Sequence, residues 1–262
     1  MLKTFLPIVL VILVVAILIS GWLVYGITRP PRAAYRITPQ SFSKLTGPVA
    51  KAADVKWKNH DGSEARGWLI AGTDGAPAVI LLHGYGADRS WLLNLAYKLN
   101  ETTNFTVLWP DLRGHGESPP VSWTSFGKVE GDDVTAAIDY LHGLQSATGK
   151  PQIGSSVGLY GIGLGAYATL DAAARNQKVR ALVIDSAPAS PDDLVRAATR
   201  EMSSGIFESP FQFLARTGIK VYSFGNFPTK TSCELAGSLM NTRVLLLAGR
   251  AGDPWRQSTV DL

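Results

Sequence analysis

From Phe5 to Ile27 the chain carries no charged residue. A helix over those roughly 23 positions spans about 34 Å, enough for the hydrocarbon core of a bilayer. Pro7 and Gly21 are tolerable there, and Trp22 and Tyr25 fall where an interfacial aromatic belt would lie. A cleaved signal peptide would have an apolar region of only about 7–15 residues and a small-x-small cleavage site. This run is longer and continues into Tyr25-Gly26-Ile27-Thr28-Arg29-Pro30-Pro31. The pattern predicts a retained single-pass anchor over residues 1–28. Thr28 to Pro48 has no clear period and is rich in Pro, Arg, Ser and Thr. It reads as a linker, residues 29–48, holding the domain at 49–262 off the membrane.

Beyond the linker the period changes to that of strands. Val55–Lys58 and Arg66–Ala71 alternate about an Asn59-His60-Asp61-Gly62 turn, which predicts a hairpin. Ala78–Leu82, Phe105–Trp109, Val157–Tyr160, Val179–Ile184 and Val244–Ala248 are continuous apolar runs, as for strands buried on both faces. Helical periodicity fills the gaps at Arg89–Leu99, Val129–Leu144 and Ala166–Arg175. Strands alternating with helices predict an α/β fold, a mostly parallel doubly wound sheet. From about 189 to 241 the rhythm breaks. Asp192–Met202 and Phe211–Gly218 look like short amphipathic helices of an inserted cap over the strand ends.

The strand from Val244 lies so near the end that it becomes an apolar sheet edge, which invites association. The expectation is that the sequence is a fragment or has a frameshifted end, or that something else covers this edge.

Charge and cysteine usage narrow the function classes. The net charge of +4 is mild and the basic residues are scattered, so no nucleic-acid stripe is present. The single Cys233 allows neither an internal disulfide nor a cysteine metal cluster, and the four histidines lack metal spacing. No metal or cofactor is expected. Membrane orientation stays open. Arg29, Arg32 and Arg36 outnumber Lys3 and the α-amine, favouring a cytoplasmic domain. An N-terminal signal anchor in bacteria more often exports the domain behind it. In a bacterium the membrane would be the inner one. Oligomeric state is left open.

The candidate chemistry sits where the run Val157–Tyr160 stops at Gly161-Ile162-Gly163-Leu164-Gly165 and a helix follows. A strand, a tight glycine turn and a helix form the frame of the G-x-S-x-G nucleophile elbow. His83-Gly84-Tyr85-Gly86 resembles an HGxG oxyanion loop. Asp111-Leu112-Arg113-Gly114-His115-Gly116-Glu117-Ser118 resembles a D-x-R-G-x-G-x-S turn. Leu245-Leu246-Leu247-Ala248-Gly249 through Asp253 resembles the strand and turn that carry a catalytic acid. Together, over roughly residues 50–255, the chain resembles the α/β-hydrolase superfamily, in particular its lysophospholipase and serine-aminopeptidase-like members.

That resemblance implies hydrolysis of an ester or amide by a Ser…Asp…His triad. The nucleophile position is Gly163, which has no side chain. The acid would be Asp253. No histidine follows His142, and the family's last strand is absent. Ser155, Ser156 and Ser186 lie near the sheet, but none is expected on the sharp turn that presents the nucleophile's oxygen. His83 and His115 are expected to be structural, and His60 and His142 to be solvated. The chain therefore reads as catalytically impaired or a pseudoenzyme. The backbone N–H groups of Tyr85 and Leu164, with His83 and Gly84 beside them, are expected to persist as an oxyanion pocket for a small acyl or carbonyl ligand. A rival reading takes Gly161–Ala166 as G-x-G-x-x-A and Asp185 as the ribose-holding acid of a dinucleotide site. The turn follows the fifth strand rather than the first, which counts against it.

Overall fold

The computed structural model describes residues 2–46, 51–203, 208–223 and 227–262. Gly47 and Pro48 of the expected linker and residues 204–207 and 224–226 of the expected cap lie outside them. Seven strands form one sheet: β1 (Ala53–Lys58), β2 (Glu64–Ile70), β3 (Ala76–Leu82), β4 (Thr106–Pro110), β5 (Ile153–Ile162), β6 (Val179–Asp185) and β7 (Arg243–Leu247). Their order is β1-β2-β4-β3-β5-β6-β7. β1 and β2 are the expected hairpin, with Lys58 opposite Glu64 and Gly62 at φ 81° in the turn. β2 pairs antiparallel with β4, and all later pairings are parallel.

Successive strand residues face opposite sides of a sheet, and the two cores follow that rule. Ile80, Leu82 and Leu108 join one cluster with α4 (Lys128–Gly143) and α5 (Leu164–Arg175). Leu81, Val107 and Trp109 join another with α3 (Leu93–Thr103). The helix expected from Arg89 begins as a 3-10 turn, Arg89–Leu92, which Asp88 caps by accepting the Ser90 N–H. β7 is the sheet edge, and Val244 and Leu245 are 44% and 55% exposed.

Among its described residues the cap region holds three helices, α6 (Pro191–Ser203), α7 (Glu208–Tyr222) and α8 (Ser232–Gly237). A last helix, α9 (Arg256–Val260), follows β7. Neither α8 nor α9 was expected, each being shorter than the window in which helical period is visible.

The N-terminal apolar run is one helix, α1 (Leu2–Thr28), long and apolar enough over Leu6–Thr28 to cross a membrane. Leu6 to Val15 are exposed, while Leu23, Val24 and Ile27 are buried against the cap. The stretch expected as a free linker is, over its described residues, laid against the domain. Tyr35 Oη donates to Asp111 at 2.6 Å, and its ring meets Trp68 edge-on. A further helix, α2 (Pro39–Thr46), sets Phe42 against Tyr97. Two aromatic side chains bury area in this segment, and that outweighs the absence of a period.

The end of α1 is held by one buried carboxylate acting through a loop. Glu130, fully buried at the start of α4, accepts the backbone N–H groups of Ser125 (2.8 Å) and Gly127 (2.9 Å). It also accepts both the Thr124 and Ser125 hydroxyls. In the loop so held, the Thr124 N–H donates to the Thr28 carbonyl at 2.9 Å. Removing a buried acceptor leaves its donors unpaired, at about 1–3 kcal/mol. We expect Glu130→Ala to lower the stability of the detergent-solubilised full chain by that amount in denaturant unfolding. Asp132→Ala, two positions along α4 in an exposed pair with Arg175, should cost less than about 1 kcal/mol.

Candidate active site

At the crest of the sheet β5 stops at Ile162, and Gly163 turns the chain into α5 with φ 53° and ψ −110°. The turn is tied down at both ends. The Gly163 N–H donates to the Asp185 carbonyl at 3.0 Å, and the Tyr167 N–H donates to the Gly163 carbonyl at 3.1 Å. The three glycines have different reasons to be there. A Cβ on Gly161 would lie 2.3 Å from the Gly165 carbonyl oxygen, and one on Gly165 would lie 2.6 Å from that of Leu82. Both contacts are with backbone, so only glycine fits. A Cβ on Gly163 would meet nothing nearer than Gly84 Cα and Trp255 Nε1, both at 3.9 Å. Space is available there, and the constraint is the positive φ, about 1–3 kcal/mol for another residue.

A cavity of about 530 Å³ opens above this turn. His83, Gly84, Tyr85, Gly163 and Leu164, expected from the sequence to share a site, all line it. Asp253 does not, although its neighbours Pro254 and Trp255 do. The Asp253 carboxylate accepts the Ser186 hydroxyl at 2.6 Å and the Trp255 N–H at 2.8 Å. Ser186 is not on the elbow turn; it sits at φ 53° directly after β6, and Asp185 lies 3.0 Å from the same hydroxyl. Asp185 in turn accepts Tyr160 Oη at 2.8 Å.

Sequence reasoning missed several residues of the cavity wall, among them Trp91, Leu194, Ala198, Glu201 and Trp255. Trp255 brings its indole nitrogen toward the elbow, and Glu201 of α6 brings a carboxylate from the cap. A lone Trp after a Gly-Asp-Pro turn and a Glu on an amphipathic helix carry no signal of a site. Among the described residues no group of three or more His, Cys, Asp or Glu could hold a metal ion.

His83, His115 and His60 stand as expected; His142, expected to be solvated, is instead half-buried, with its Nε2 shut off from solvent and without a hydrogen-bond partner among the described residues. His83 uses both ring nitrogens: Nδ1–H donates to the Gly84 carbonyl at 2.8 Å, and Nε2 accepts the Leu112 N–H at 3.0 Å. It fastens the loop after β3 to the loop after β4. His115 Nδ1–H donates to the Arg113 carbonyl at 2.9 Å. His60 is exposed, 3.3 Å from Asp139.

The loop from Asp111 is held by charge. Arg113 makes a two-point pair with Asp133 at 2.6 and 2.7 Å. Asp111 takes the Arg89 N–H at 2.9 Å and lies 3.2 Å from its guanidinium, and burial pushes its carboxyl up to about 6. The Arg89 guanidinium stacks over Trp68 at 4.3 Å. This turn therefore shapes the loop beneath the cavity rather than lining it.

Burial lowers His83 to about 4 and His115 to about 3 from the ordinary 6.5. Both rings should stay neutral as pH falls from about 7 to about 5, visible as unchanged ring-nitrogen shifts in 15N NMR. A ring titrating near 6.5 would contradict the buried geometry. Unfolded imidazoles take up protons near 6.5, so the stability tied to these two rings is complete above that pH. It is lost as pH falls toward their folded values, at roughly 1.4 kcal/mol per unit for each ring.

The model of the alpha/beta hydrolase family matches residues 79–261. Among curated relatives, Thiohydrolase aneE of Aspergillus aculeatus is 27% identical over 150 residues, 57% of this chain and 44% of its own length. Polyketide transferase ATR5 of Stachybotrys chlorohalonatus is 29% identical over 161 residues, 59% of this chain and 52% of its own. The chain spans about half the length of the curated relatives it matches. Among solved structures, the esterase Pf2001 of Pyrococcus furiosus superposes with a TM-score of 0.66 at 22% identity, over 90% of this chain and 84% of its own. The mostly parallel sheet, the glycine turn between β5 and α5 and the match over most of the chain agree: this protein belongs to the alpha/beta hydrolase family.

Proposed function

We propose that this is a membrane-anchored alpha/beta hydrolase-fold protein whose cavity binds an acyl or carbonyl ligand and whose elbow does not carry out the family's hydrolysis. The observation that carries this reading is Gly163, a residue without a side chain at an elbow whose strained backbone is intact. Acyl transfer through a covalent intermediate needs an oxygen at that position and a base beside it. Asp253, the residue that the resemblance makes the candidate acid, accepts the Ser186 hydroxyl. His83, the one histidine lining the cavity, has both nitrogens committed.

Binding places a smaller demand on the site. The N–H groups of Tyr85 and Leu164 are backbone donors, and they need no particular side chain to meet a carbonyl oxygen. The names of the relatives, a thiohydrolase, a polyketide transferase and an esterase, support an acyl ligand. Anchoring is supported by α1, whose span from Leu6 to Thr28 has a mean hydropathy of 2.9 and is exposed from Leu6 to Val15. The dinucleotide alternative has less support. The Asp185 carboxylate that would hold a ribose already accepts the Tyr160 hydroxyl.

The full chain in lipid nanodiscs, incubated with a fluorophosphonate probe and with p-nitrophenyl esters, should remain unlabelled. Its ester turnover should stay within the residual about 10³–10⁴-fold over water that binding geometry alone supplies. Gly163→Ser should fold, because a Cβ fits there, yet still label poorly for want of a base. Stoichiometric labelling of the unmodified chain would overturn the reading.

A further inference from the structure

α1 and α7 touch at backbone distance. A Cβ on Gly218 would lie 2.3 Å from Ser20 Oγ and 2.7 Å from a Val24 methyl, and Ser20 Oγ donates to the Leu214 carbonyl at 3.0 Å. Beside that contact a groove of about 620 Å³ runs between the two helices. Its walls include Leu13, Ala16, Ile17, Val24, Leu214 and Val221, and a Cβ added to Gly21 on the same wall meets nothing within 4 Å. The Ser20 hydroxyl is already spent on α7, so the walls ask for an apolar occupant.

The position of the groove says which one. It lies along the stretch of α1 that would sit in hydrocarbon, where Leu13 and Ile17 are 55% and 61% exposed. α7 carries the same character outward, with Phe213 69% and Val221 68% exposed. Tyr25 and Arg29 also line the groove, the guanidinium resting 4.1 Å over the tyrosine ring. Arg32 and Arg36 follow. An apolar trough with a cation where the span ends matches a lipid with an anionic head group.

We propose that this groove holds an acyl chain of an anionic bilayer phospholipid, with its phosphate at Arg29, so that α7 rides in the membrane interface. The proposal rests on the membrane-span reading of α1. Its consequence reaches the candidate site, because α6, which packs on α7, supplies Leu194, Ala198 and Glu201 to the cavity wall.

The test uses the full chain in nanodiscs of phosphatidylglycerol and phosphatidylcholine. In a Cys233→Ser background, single cysteines at Leu13, Val221 and, as an exposed control, Lys150 carry a fluorophore. Quenching is read with doxyl-labelled lipid. Labels at Leu13 and Val221 should be quenched and the one at Lys150 should not. Doxyl-phosphatidylglycerol should quench at Val221 with about fivefold preference over doxyl-phosphatidylcholine, the worth of one basic residue near an anionic surface. Arg29→Gln should remove that preference, and Gly21→Phe, filling the groove, should lower quenching by either lipid. Quenching at Leu13 but not at Val221 would overturn the groove and leave the anchor standing. No quenching at Leu13 would overturn the anchor, and the groove with it. Equal quenching by the two lipids would overturn the anionic head group. Energy transfer between Val221 labels on separate chains, without lipid quenching, would give the groove to a second copy and overturn the proposal.

Discussion

The rest of the molecule depends on how closely α5 is pressed against the strand ends. Gly161 and Gly165 leave no room for a Cβ between β5, α5 and the carbonyls of β3. That closeness aims the N-terminal end of α5 at the loop after β3 and forces the chain through the positive φ at Gly163. Two of the three glycines are thus consequences of packing. The third has space around it, so the same packing does not dictate its identity. Structural and chemical demands separate here, within five residues. Gly161 and Gly165 fix the turn by packing, and at Gly163 the restriction is the positive φ alone.

Around this turn, buried polar groups act as fasteners. His83 joins the loop after β3 to the loop after β4, and the charges of Arg113, Asp133, Arg89 and Asp111 hold the second loop open. Glu130 holds a third loop, and that loop holds the end of α1. Tyr85 completes the circuit: its hydroxyl donates to the Ile27 carbonyl at 2.8 Å while its ring stacks on Phe126 at 5.8 Å. The apolar N-terminal helix is therefore hydrogen-bonded to a residue of the cavity wall. A buried polar group that loses its partner costs more than the bond itself contributes. A shift of α1 would for that reason be felt at Tyr85.

The limits of legibility in the sequence are set by which forces are local. Strands buried on both faces announce themselves, and β3, β4, β5 and β6 lie where their apolar runs do. The elbow was legible because its steric demand falls on residues close together in the chain. α2 and the course of residues 29–38 were not, because Tyr35 finds Asp111, and Phe42 finds Tyr97, only once the sheet exists. Within a Pro- and Ser-rich stretch those two aromatics carry no period. Trp255 and Glu201 were invisible for a related reason. Each reaches the cavity from a segment whose position depends on where β7 and the cap settle. The turn at Ser186 was hidden because a positive φ at a serine has no signature in a sequence.

The cavity thus joins parts of unequal tolerance. Its floor is backbone, held by Gly161 and Gly165, and its walls are side chains from the loop after β3, the cap and the loop after β7. A substitution on the floor at Gly161 or Gly165 displaces α5 and with it the whole site. A substitution on the wall, at Trp255 or Glu201, alters what the cavity accepts and leaves the sheet untouched. Under the proposed binding, backbone donors would serve any carbonyl alike, and discrimination between ligands would come from the walls. Part of those walls is α6, and α6 packs on α7, which packs on α1. The wall of the proposed site is therefore tied mechanically to the apolar helix, and its floor to the glycine turn.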